Sequence, residues 1–109
     1  MDDHSQVTLK TLKTRSQDVL IKFLNTDLDL AFTMLRTAQI EAEFDPEAFP
    51  DAMQRVQDAL RTVRSFVGRI EERNVWSRIL SRADELEASI AELLDGWKQT
   101  TRRTPHPQR

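Results

Sequence analysis

Two rows of apolar residues, advancing by alternate steps of four and three, constrain this chain more than any other feature. Phe49, Met53, Val56, Leu60, Val63, Val67 and Ile70 form one row; Trp76, Ile79, Ala83, Leu86, Ile90, Leu93 and Trp97 form the other. That spacing places every member of a row on one stripe of an α-helix, the arrangement by which helices pack in bundles and coiled coils. A third row, Ile21, Leu24, Leu28, Ala31, Leu35, Ala38 and Ala42, precedes them with the same rhythm. The chain reads as helices packed on helices.

Helix boundaries follow from the residues that interrupt these rows. Asn25-Thr26-Asp27 places three cap-preferring residues inside the first row, where their side chains compete for backbone hydrogen bonds. Thr26 followed by Asp29 has capping spacing, which predicts a short first helix over residues 5–24 and a second over 27–43. The row does not change phase at Asn25, which favours the rival reading of one continuous helix. Pro46 and Pro50 then break the chain within Phe44–Pro50, and Asp45, Glu47 and Asp51 suit the positive end of a new helix dipole. This third helix is predicted over residues 50–71, with Gly68 inside it as a close-packing position.

The last boundary shows as a phase change. Continuing the row past Ile70 reaches Asn74, Ser77, Ser81 and Asp84, and the apolar pattern restarts one residue out of step at Trp76. A tight turn at 71–75, with Asn74 as the cap, leads into a fourth helix over 75–98. The expected fold is all-α, an antiparallel three-helix bundle (27–43, 50–71, 75–98) with a short additional N-terminal helix (5–24). Residues 7–98 form the single domain, residues 1–6 a frayed start and residues 99–109 a disordered basic tail containing Pro105 and Pro107.

Composition narrows the chemistry. The 109 residues include no cysteine, so disulfides and thiol nucleophiles are excluded. No apolar run exceeds three residues, the length of Val19-Leu20-Ile21, far short of the roughly 20 residues of a membrane span. Met1-Asp2-Asp3-His4 has no basic or apolar leader character, and the expected location is cytoplasmic. The only histidines, His4 and His106, lie in the two ends, away from any glutamate–histidine pair on a helix face. No metal, no cofactor and no enzymatic activity are expected.

Net charge is −2 but alternates along the chain: −6 over residues 27–51, +4 over 52–82, −5 over 83–95 and +4 over 96–109. Antiparallel helices carrying such blocks attract one another, each exposed pair contributing about 0–1 kcal/mol. The alternative is a regulatory nucleic-acid-binding protein whose Arg-rich third and fourth helices meet phosphate. Arg55, Arg61, Arg64 and Arg69 spread around the solvent side of the third helix with Asp58 among them. Phosphate recognition wants them gathered on one face, so nucleic acid is disfavoured as a partner, as is a membrane.

Ala52-Met53-x-x-Val56-x-x-Ala59-Leu60, preceded by Phe32, Leu35 and Ala38, resembles a helical hairpin of the tetratricopeptide-repeat family. The resemblance covers residues 27–67 and implies one helix–turn–helix unit, a capping role for the last helix, and protein binding in a concave groove. Both lines point to a non-catalytic helical interaction module or subunit, with a protein partner or a second copy of the chain as a homodimer. The candidate contacts are Phe44 and Phe49 in the proline-bearing loop, Trp76 and Trp97 at the two ends of the fourth helix, and Arg102 and Arg103 in the tail. Packing within the core or at its rim is the competing role for both tryptophans.

Overall fold

The computed structural model describes residues 2–103, and side chains over residues 11–100. Among these residues there are three helices and no strand: α1 spans Asp2–Phe44, α2 Phe49–Val67 and α3 Arg73–Arg103. The three apolar rows meet along one axis. Leu24, Leu28, Ala31, Leu35 and Ala38 of α1 pack against Met53, Val56, Val63 and Val67 of α2 and Ile79, Ala83, Leu86 and Ile90 of α3. No polar or charged residue with a described side chain is fully buried, so the core is held by apolar packing alone.

The expected break at Asn25–Asp27 is absent, and with it the separate N-terminal helix and the Thr26 cap. The two expected helices are one, α1, which is 43 residues long. A tertiary contact satisfies the first of the residues that were expected to end it. Asn25 accepts a hydrogen bond from Arg82 Nη1 at 3.0 Å, so its side chain has no need of the backbone. Downstream, the Thr33 and Thr37 hydroxyls donate to the carbonyls four residues earlier at 3.1 and 3.3 Å. Meanwhile Leu24, Leu28 and Ala31 keep the row in register across the polar triplet, and packing outweighs intrinsic propensity.

The other boundaries shift by smaller amounts. α2 begins at Phe49 with Pro50 in its first turn and ends at Val67 rather than residue 71. Gly68 is its C-cap, with φ −65° and ψ −13°, and a Cβ placed there meets nothing within 4 Å. It is therefore not a close-packing position. Ile70 lies beyond the helix yet is buried, so the row seals the base of the core from within the connecting turn. Asn74 sits inside the first turn of α3 rather than capping it, and the Trp76 amide donates to the Glu72 carbonyl at 2.9 Å. α3 continues to Arg103, so residues 99–103 of the expected tail are helical; residues 104–109 lie outside the described residues, as does Met1. The expected frayed start is likewise helical from Asp2.

Two side-chain devices fix the stagger of the helices. The Gln17 amide donates to the Arg69 carbonyl and accepts from the Glu71 amide, both at 3.0 Å, tying α1 to the α2–α3 connection. At the opposite end Phe49 stacks on Trp97 with ring centroids 4.2 Å apart and planes 22° from parallel. α1 before Gln17 and α3 after Trp97 thus project past the body at opposite ends. The result is a rod of 82 × 20 × 16 Å with a radius of gyration of 19.8 Å, against about 13 Å for a compact domain of 100 residues.

Candidate interaction surface

The exposed large apolar residues are Leu12, Val19, Phe23, Leu30, Ile40 and Phe44, between 46% and 79% accessible. All six belong to α1, and all six fall on one stripe. With Ser16, Thr26, Thr33 and Thr37 between them, they advance by alternate steps of four and three from Leu12 to Phe44. At about 100° per residue, this stripe lies about 150° around the helix from the buried row. α1 therefore has two apolar rows on nearly opposite faces, one packed against α2 and α3 and one turned to solvent. No charged residue interrupts the outer row between Leu12 and Phe44.

The outer row deepens at one end. Phe23 meets Phe66 of α2 edge-on, with ring centroids 6.3 Å apart and an interplanar angle of 88°. Leu12, Val19 and Leu20 line a shallow groove with these two rings, and Arg69 covers its far wall with its guanidinium 4.7 Å from the Phe66 ring centre. The surface is open and chiefly apolar. Among the described residues no group of three or more carboxylate, histidine or cysteine side chains is placed to hold a metal ion. No described helix is long and apolar enough to cross a membrane.

Of the contacts expected from sequence, the structure brings together only Phe49 and Trp97 among the described side chains, and it does so inside the molecule. Phe44 is 79% exposed at the end of the outer row, but Phe49 is 1% exposed and belongs to the core. It is buried because α2 starts one residue before Pro50, which turns the Phe49 ring inward onto Trp97. Trp76 and Trp97 are half-buried and pack against the core, about 31 Å apart along α3. Arg102 and Arg103 lie in the last turn of α3, and their side chains are outside the described range.

Several arginines of the central basic block are engaged within the chain. Arg64 grips Glu87 through Nε at 3.1 Å and Nη2 at 2.6 Å, and Asp84 through Nη2 at 2.9 Å. Its hydrogen bonds to Asp84 and Glu87 push its pKa upward, further towards the charged form. Arg82 spans to α1, reaching Asn25 at 3.0 Å and Asp29 at 2.6 Å. Arg61 pairs with Asp58 on its own helix at 2.8 Å.

The outer row is legible in the sequence as a second four-and-three pattern on the first helix. A break placed at Asn25–Asp27 divides it, because Thr26 then becomes a cap instead of a member. Its six large residues and its uninterrupted helix together describe a helical rod with an exposed apolar row along α1. The chain matches no protein-family model, no curated protein and no solved structure.

Proposed function

We propose that this chain is a non-catalytic helical interaction module that binds through the outer face of α1. The observation that carries this reading is the alignment of all six exposed large apolar residues on a single uncharged stripe. Scattered exposed leucines are ordinary on protein surfaces, whereas a contiguous apolar row marks a place where something else packs. The tetratricopeptide-like pattern over residues 27–67 supports the same class of reading, since it spans part of α1 and all of α2.

Site-specific photocrosslinking tests the proposal. A photoreactive phenylalanine analogue replaces Leu30 or Phe44 on the outer row, and in parallel Gln54 or Ser81 on other exposed faces. Adducts formed from Leu30 and Phe44 but not from Gln54 and Ser81 support an α1 docking face. Adducts distributed evenly over the four positions, or none at any of them, would sink it.

A further inference from the structure

We infer that the outer face of α1 packs against the same face of a second copy of this chain, with the two α1 helices antiparallel. The inference rests on the interaction-module reading above and names the partner. A strict four-and-three stripe drifts around a straight helix by about 20° per heptad. That drift is accommodated by a partner helix winding left-handed about it, not by a flat surface. The stripe from Leu12 to Phe44 is about 48 Å long and about 10 Å wide. Side-chain relief brings such a strip towards the roughly 800 Å² per partner of a standard interface.

Shape selects the direction. In the antiparallel register that sets Leu12 against Phe44, every large residue of the inner layers meets a small one. Val19 faces Thr37, Phe23 faces Thr33, Leu30 faces Thr26 and Ile40 faces Ser16. A parallel pair would set Phe23 on Phe23 and Thr33 on Thr33, crowding some layers and leaving others underfilled.

Opposite charges meet at the two ends of that register. The flanks of the stripe are basic towards the start of α1, at Lys13 and Arg15, and acidic towards its end, at Glu41 and Glu43. The antiparallel register brings Lys13 to Glu41 and Arg15 to Glu43 at both ends of the interface. Lys13 already has a loose, exposed bridge to Glu71 at 3.6 Å, which leaves it able to turn to a second carboxylate. Nearer the twofold axis Lys22 meets Arg36, and Asp27 and Asp29 meet their own copies, with Arg82 already seated on each Asp29 at 2.6 Å. Attraction is thus confined to the two ends and is offset by like charges near the axis, so the direction rests on the alternation of large and small residues.

Sedimentation equilibrium of the full chain, from about 1 μM to about 1 mM, should show mass rising from 12.7 kDa towards twice that value. Leu30→Glu and, separately, Ile40→Glu should each raise the dimer dissociation constant at least tenfold while helicity and melting stay those of a folded monomer. The absence of native cysteine allows a direct test of orientation. Mixing a Val19→Cys chain with a Thr37→Cys chain should give a disulfide-linked pair that neither chain forms alone. A mass of 12.7 kDa at every concentration overturns the inference, as does a dimer that both glutamate variants leave unchanged. Disulfide pairs formed by each cysteine variant alone, with no mixed 19–37 pair in the mixture, overturn the antiparallel arrangement. Photoadducts from Leu30 and Phe44 to another protein only would overturn the second copy as partner and leave the docking face standing.

Discussion

Asp27 is the one described side chain with a buried oxygen that has no hydrogen-bond partner, its Oδ2. Burial raises its pKa above the ordinary aspartate value of 3.8, since desolvation disfavours the charged carboxylate. The folded chain therefore holds this proton more tightly than the unfolded chain does. Ionised Asp27 costs stability at neutral pH, and the cost is relieved as pH falls through its raised pKa. Asp27→Asn should raise Tm by about 2 °C at pH 7, with the gain over the parent chain shrinking on acidification. Melting curves of both proteins, taken at concentrations dilute enough to keep them monomeric, check the sign. Arg82 works the other way, bridging Asn25, Asp29 and the Phe32 ring across two helices. Arg82→Ala should cost about 1 kcal/mol, the scale of a partly exposed network with charged hydrogen bonds. Arg61→Ala, which loses only a bridge within its own helix, should cost no more than about 0.5 kcal/mol. Urea unfolding of the two variants separates them.

Each element tests a different balance between local preference and packing. α1 persists through Asn25-Thr26-Asp27 because the buried row continues on both sides, with Leu24 and Leu28 fully enclosed. Thr26→Pro removes a backbone donor in mid-helix and should cost about 3 kcal/mol or more, a loss that a cap position at the start of a helix would not incur. Circular dichroism and chemical denaturation of that variant distinguish a continuous α1 from two abutting helices. At the end of α2, Gly68 has right-handed backbone angles and open space where a Cβ would stand. Gly68→Ala should stabilise the chain by about 0.4–1 kcal/mol by restricting the unfolded state. A glycine needed for close helix approach would give a loss instead. The Phe49–Trp97 stack closes the other end of the core, and Phe49→Ala should cost about 3–5 kcal/mol.

At the scale of the whole molecule, helix lengths decide the shape. α1 and α3 outrun α2, giving a monomer whose longest dimension is 82 Å; small-angle scattering of a dilute sample should report that length. The apolar rows, their phase and the prolines of the first connection determined by themselves that the chain is all-helical, that three rows pack together, and that α2 starts beside Pro50. These are properties of spacing, and spacing is carried by the chain. Whether Asn25–Asp27 ends a helix is a competition between side-chain capping and burial, and the contacts of Leu24, Leu28 and Arg82 settle it in favour of burial. The same contacts decide that Phe49 turns inward while Phe44 remains outside. Two apolar rows can be counted along α1 from the sequence, but counting does not say which one is covered. Only the tertiary structure decides that. The row through Leu24 and Leu28 supplies the small residues Ala31 and Ala38, which let α2 and α3 approach closely, and the row through Phe23 and Leu30 is left facing outward.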